Sequence, residues 1–327
     1  MYSFHDVIGH QEIISHMKNA FSMNKVSHAY ILEGDEGMGK KMLSNCFIKL
    51  LQCESPVQTE PCNTCESCIL MNSGNHPDVI YVTPTKKSGY GVSDVRDQMV
   101  KDIHIKPYRS KYKIYVIEEA DTMTIQAQNS ILKTIEEPPS YGIFFLLATN
   151  SQKFLQTIQS RTVKISLKPI ALDKIESYFI QSLASTPKDA MLYSSFSRGN
   201  LGKALMLRNS ETFLNQRNDM LKLLDVFINQ KEYDIIEAVE LLEANKDEIH
   251  SLLEILLSLI RDILYFKETQ NQTGIIHLDI VERIMTLSQH AKPLKLVKLV
   301  KNSYLLVSEL RLNVNFSLAV LTMLTDV

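Results

Sequence analysis

Glu33-Gly-Asp-Glu-Gly-Met-Gly-Lys-Lys-Met-Leu-Ser-Asn45, EGDEGMGKKMLSN, is the stretch on which the fold turns. Gly34-x4-Gly39-Lys40 is a phosphate-binding loop up to its last position, where Lys41 replaces the Ser or Thr whose hydroxyl reaches Mg²⁺. Such a loop needs a strand before it and a helix after it. Residues 26–33, VSHAYILE, are an apolar run of strand formers, and Met42, Cys46, Ile48, Leu50 and Leu51 continue in a helical pattern. Backbone N–H groups around Gly34, Gly37 and Gly39, backed by a helix N-terminus, make a cradle for phosphate oxygens. Lys40 would set an ammonium against the β and γ phosphates. A strand-to-helix turn that merely favours glycine reads the same way, so a second element is needed.

Ile114-Tyr-Val-Ile-Glu118-Glu119-Ala-Asp121 supplies it: an apolar strand ending in adjacent acids. Glu118 stands where a phosphate-loop NTPase puts its magnesium-holding aspartate, and Glu119 where it puts a water-activating glutamate. A solvated acidic strand end is the plainer reading of those residues alone. Runs at 78–83, 113–118 and 143–149 are nearly continuously apolar, as parallel strands covered on both faces require. Thr124 to Glu137 reads as a helix stopped by Pro138-Pro139. Strands alternating with helices make the first half a doubly wound α/β domain.

After Pro169 the pattern turns helical, with segments expected at 171–184, 187–197, 200–208, 211–229, 232–244, 246–267, 277–290 and 294–325. The expected division is three domains: 1–168, 169–208 and 209–327. The 327 residues carry a formal charge of −2, so no bulk basic footprint points to nucleic acid. No long uninterrupted apolar stretch argues for a membrane span, and MYSFHDVIGHQE (1–12) lacks a signal-peptide pattern, so a cytoplasmic protein without membrane contact is expected.

Of five cysteines, four cluster as Cys53-x8-Cys62-x2-Cys65-x2-Cys68. At those spacings four thiolates close a tetrahedral, structural zinc site, with an iron–sulfur cluster as the rival. His76 reads as a loop residue and Cys46 as a buried thiol in the helix after the glycine loop. A zinc-dependent DNA-binding protein is another class to weigh, but the basic patches at Lys86-Lys87 and Lys106–Lys113 are sparse.

NSILKTIEEPP (129–139), FFLLATN (144–150), SRT (160–162), the cysteine cluster after the loop helix and SFHDVIGHQE (3–12) together resemble the bacterial clamp-loader ATPases of the AAA+ superfamily. The resemblance covers residues 1–208. It implies an α/β AAA+ phosphate-loop domain with a parallel sheet and a zinc module at 53–68, a small helical lid and an all-α C-terminal collar. It places Val7, Ile8 and Gly9 beside an adenine, with Thr149 and Asn150 in the region that senses the γ-phosphate. Arg161 matches an arginine finger acting on a neighbour's nucleotide, with Thr162 where the family usually has cysteine. Gly202 occupies a position where active members carry a sensor arginine.

Lys41, Glu118 and Gly202 thus weaken metal and charge placement together, so independent ATP turnover is not expected, while the cradle for ATP or ADP is kept and Mg²⁺ is doubtful. A catalytically active gamma/tau-type ATPase is the alternative; a collar ending at Val327 without a following tail is expected to count against it. The partners implied are the gamma/tau and delta subunits of the DNA polymerase III loader, the sliding clamp and primer-template DNA. Asn129 and Lys133, a turn apart, are the candidates for backbone contacts to that DNA.

Overall fold

The computed structural model describes residues 2–86, 89–229, 234–312 and 314–325. Strands β1 (Ala29–Glu33), β2 (Val79–Val82), β3 (Lys113–Ile117), β4 (Gly142–Ala148) and β5 (Val163–Ser166) form one parallel sheet in the order β2-β3-β4-β1-β5. Every residue of β3 and β4 is buried, which is why these runs are apolar without alternation. The sequence pattern did not mark β5: it is a short edge strand in which only Ile165 is buried.

Helices α1 (Gln11–Ser22) and α2 (Lys40–Gln52) bring Met17, Leu43, Phe47 and Leu50 to one core. There Tyr30 stacks on Phe145 at 5.2 Å, with Phe47 edge-on to both. After α3 (Glu66–Ser73) and β2 comes the short α4 (Val92–Val95). The other core joins Val95, Met99 and Ile103 to Ile131 and Ile135 of α5 (Ile125–Glu136), around a Tyr115–Phe144 stack. Thr124 caps α5 by accepting from Ala127 N–H. A one-turn α6 (Gln156–Gln159) leads into β5.

Beyond the sheet lie α7 (Leu172–Leu183), α8 (Pro187–Ser197) and α9 (Leu201–Arg208). They are followed by α10 (Glu211–Asn229), α11 (Asp234–Ala244), α12 (Ile249–Thr269), α13 (Val281–His290), α14 (Pro293–Arg311) and α15 (Phe316–Thr325). Residues 232 and 233 of the helix expected at 232–244 lie outside the described residues, as does Lys87. The single helix expected over 294–325 is two: Asn315 Oδ1 accepts from Leu318 N–H at 3.0 Å and starts α15 afresh. Chain contacts group the molecule into two compact units, residues 1–178 with 197–203, and 179–196 with 204–327. No described helix is long and apolar enough to cross a membrane.

In the second unit His277 is fully buried, with Nε2 2.9 Å from Ser258 Oγ and Nδ1 unpartnered. Burial, then Arg217 and Arg261, pushes its pKa from 6.5 down to about 3. The unfolded chain therefore takes up a proton that the folded chain refuses, and stability is lost as pH falls between those values. By pH 5 that loss is about 2 kcal/mol. Urea melts at pH 7 and pH 5 are expected to show it in the wild type and not in His277→Gln; parallel losses would remove the assignment.

Candidate functional site

The glycine loop leaves the C-terminal end of β1, a central strand, and enters α2 directly. Gly37 and Gly39 have φ of 82° and 93°, left-handed backbone that other residues adopt only at a cost. Because β4 lies between β1 and β3, three strand ends converge beside the loop. They surround a cavity of about 620 Å³ lined by Gly37, Gly39, Lys40 and Lys41 from the loop, Glu118 and Glu119 from the end of β3, and Thr149 from the end of β4. These sequence-marked residues come together.

Inside the cavity the charged side chains pair with protein groups. Lys41 Nζ lies 2.7 Å from Glu118 Oε1, so the residue at the Mg²⁺-hydroxyl position and the residue at the Mg²⁺-aspartate position neutralise each other. Lys40 Nζ folds back onto its own loop, donating to the carbonyls of Gly34 and of Asp35, the latter at 3.0 Å. Its ammonium faces the loop's own acceptors while the residue lines the cavity. Burial lowers its pKa, against the pull of Asp121, Asp35, Glu36 and Glu119.

Asn150 also departs from expectation. Its Oδ1 accepts from Gln152 N–H at 2.9 Å and caps the turn 151–153, so it does not line the cavity. Glu119 sits exposed at φ 48°. The buried acid among the lining residues is Asp121, to which the sequence pattern assigned no role. It accepts from Thr149 Oγ1 at 2.8 Å and from Lys153 Nζ at 3.1 Å. Burial alone would raise this carboxyl; the bonds from Thr149 and Lys153 prevail and hold it below the usual range. Its signal was present in the spacing of EEAD, where only the last acid turns inward.

A second closure comes from the segment after α8. Gly202 N–H donates to Gly37 carbonyl at 3.0 Å, and Asn200 Nδ2 to Glu36 carbonyl at 2.7 Å. The backbones touch: a Cβ added at Gly202 would lie 2.5 Å from Gly37 Cα. Position 202 therefore has room for glycine alone, and no sensor side chain reaches the cavity from it. Gly9 and His10 line a separate cavity of about 320 Å³ with Ser166, Lys168 and Ile170, while Ile8 is only half-buried beside it. Gly34 packs on Leu167 and bonds Ala148 carbonyl through its N–H at 3.1 Å.

Arg161 lies outside the cavity, half-exposed. Its guanidinium donates to Thr157 carbonyl at 2.9 Å and pairs with Glu136 at 3.0 Å. Asn129 and Lys133 are both exposed on α5. Two of the four basic residues at 106–113 are ion-paired: Arg109 with Glu54 and Glu66, and buried Lys113 with Asp102, while Lys111 bonds the neutral Asn24 amide.

The four clustered cysteines bring their sulfurs within 4.8 Å of one another. The Cys62 and Cys68 sulfurs are 4.0 Å apart, close to the roughly 3.8 Å edge of a tetrahedron with 2.3 Å metal–sulfur bonds. N–H groups of Cys62, Cys65 and Cys68 donate to the sulfurs of Cys53, Cys62 and Cys65 at 3.3, 3.3 and 3.4 Å, the bonds thiolates accept around an ion. Sulfurs this close suit one shared ion; in a four-iron cluster each would hold a separate iron and stand further apart. His76 is no ligand: it is buried between Ser67 and Ser110, bonded to both. Cys46 is buried and apart, its thiol pushed up to about 12 by burial.

A glycine loop at the end of a central parallel strand, an acidic end two strands away and a polar strand end between them define a phosphate-loop protein of the AAA+ class. The chain matches the family described as DNA polymerase III, delta subunit, over residues 9–171, and its C-terminal counterpart over 211–327. It is 30% identical over 277 residues to the delta' subunit of DNA polymerase III from Bacillus subtilis, covering 84% of this chain and 81% of that one. It is 28% identical over 263 residues to the tau subunit of Salmonella typhimurium, covering 77% of this chain but only 40% of that relative's length. Among solved structures, a DNA polymerase III gamma-subunit-related protein of Thermotoga maritima overlaps 96% of this chain and 97% of its own, at 16% identity and a TM-score of 0.43. The chain belongs to the family of DNA polymerase III clamp-loader subunits.

Proposed function

We propose that this chain is a delta-prime-type subunit of a cytoplasmic clamp loader, assembling with gamma/tau and delta subunits to place the sliding clamp on primer-template DNA. In this reading it turns over little or no ATP itself and lends Arg161 to the ATP site of a neighbouring subunit. The observation that carries it is the Lys41–Glu118 ion pair, which puts an ammonium where catalysis needs a magnesium ion. Lys40 bonded to its own loop and the Gly202–Gly37 contact point the same way. Phosphoryl transfer depends almost wholly on positioned metal and charge, so these departures act on the step itself.

The three-part division belongs to this proposal: a nucleotide-binding-like domain at 1–168, a lid at 169–208 and a collar at 209–327 that joins the hetero-oligomer. The four cysteines hold structural zinc. Zinc with all four positions taken by cysteine leaves no place for substrate, so its chemistry is that of a staple. Asn129 and Lys133 would touch DNA phosphates inside the assembled ring.

The purified chain, assayed alone for ATP hydrolysis and for ADP binding, tests the reading. Hydrolysis is expected at background, with or without Lys40→Ala. Robust turnover abolished by Lys40→Ala would instead establish a gamma/tau-type ATPase.

A further inference from the structure

Lys49 is buried without a carboxylate partner among the described residues. Its side chain is 0% exposed, on α2 within the core of the first unit. Its ammonium donates to two neutral amides, Asn63 Oδ1 and Asn72 Oδ1, the second at 2.7 Å. Among the described residues no carboxylate oxygen lies within ion-pair distance of it. The acid nearest in role, Glu60, is held by Lys18. An ammonium moved from water into a protein interior loses several kcal/mol of solvation, and amide dipoles return only part of that.

The placement of its partners tells what supplies the rest. Lys49 precedes Cys53 by one helical turn, Asn72 follows Cys68 by one turn of α3, and Asn63 directly follows Cys62. Residues one turn apart share a helix face with Cβ atoms about 5–6 Å apart. Both amides around the ammonium therefore come from neighbours of two clustered cysteines, and the lysine itself stands one turn from a third. Asn63 adopts φ 63°, left-handed, to turn its side chain within the Cys62–Cys65 loop. Four thiolates around a divalent ion carry a formal charge of −2, the charge that a buried cation requires beside it.

We propose that Lys49 is the built-in counter-cation of the four-cysteine centre, retaining the ion by offsetting the charge of its thiolates. This rests on reading the cysteines as a metal site. Lys49 touches no metal and is a positioning residue, acting through Asn63 and Asn72.

The test uses the full-length chain and Lys49→Met, which keeps most of the side-chain volume and removes the charge. Bound zinc is first counted, then its transfer to a chromophoric chelator is followed, and melting is recorded with zinc and after zinc removal. Outer-sphere partners of this kind change metal affinity 10–100-fold, so Lys49→Met is expected to lose zinc at least ten times more readily. The melts are expected to move in opposite directions: lower than wild type with zinc, higher without it, because the metal-free wild type keeps an uncompensated ammonium. A merely structural lysine would shift both the same way. Asn72→Asp, which keeps the hydrogen bond but gives the ammonium a private carboxylate, is expected to weaken zinc retention too, and serves if Lys49→Met does not fold. Zinc bound but held equally well by both variants overturns the counter-cation. A wild type that binds no zinc overturns the metal site and the counter-cation together.

Discussion

The substitution Arg161→Ala is expected to leave the subunit in its complex while cutting the complex's DNA-stimulated ATP turnover at least about tenfold. An arginine finger supplied in trans is worth about 10³–10⁵ in the rate of the one site it serves. A loader with several ATP sites shows less than that in total turnover. The side chain is well placed to reach a neighbour, since it lies outside its own cavity, half-exposed, on the short turn between α6 and β5. Thr157 carbonyl and Glu136 hold it while no partner is present. An exposed ion pair of this kind is worth at most about 1 kcal/mol, so it orients the guanidinium without trapping it. Arg161→Lys is expected to fail almost as badly, since lysine lacks the planar fork. Glu136→Gln, which removes only the tether, is expected to keep turnover. Unchanged turnover in an assembled Arg161→Ala complex would end the assignment.

With zinc on the four cysteines, as proposed above, its removal is expected to cost more stability than any single side-chain change in the first unit. Cys53 ends α2, Cys65 caps the start of α3, and between them run residues with little hydrogen-bonded structure beyond the Val57–Glu60 bridge. That loop presents Glu60, which accepts from Ser3 Oγ at 3.1 Å and Phe4 N–H at 3.2 Å and pairs with Lys18. Without the ion the loop loses its anchor, and the N-terminal segment loses Glu60. Structural zinc supplies about 10–16 kcal/mol in isolated finger peptides. Here α2 is also held by the sheet, so a smaller share is expected, with a fall in Tm on the order of 10 °C in chelator or in Cys65→Ser. Superimposable melts with and without chelator would contradict it.

The local elements of this site were legible in the sequence. Glycines, a lysine and closely spaced cysteines announce themselves by spacing, and β1 to β4 by apolar runs too continuous for a half-exposed sheet. The ion pair between Lys41 and Glu118 was not legible, because it depends on the strand order that brings the end of β3 to the loop after β1. Neither was the bond from Asn200 to Glu36 carbonyl, which joins residues 164 apart in sequence. The cap made by Asn150 has a local cause that spacing alone does not announce: a short polar side chain beside a free N–H bonds its own turn. The break before α15 was hidden because apolar residues keep helical spacing on both sides of it.

The contact between Gly202 and Gly37 closes position 202 to any longer side chain. Every L-residue other than glycine begins with the Cβ for which this backbone approach leaves no room. A lone Gly202→Arg change would first have to separate chain segments joined by hydrogen bonds at Gly202 and Asn200, before its guanidinium could meet a phosphate. Gly202→Arg is thus expected to destabilise the first unit, whichever residues stand at positions 41 and 118. Position 202 is in this sense locked by main chain alone, and only a shift of the whole segment would unlock it.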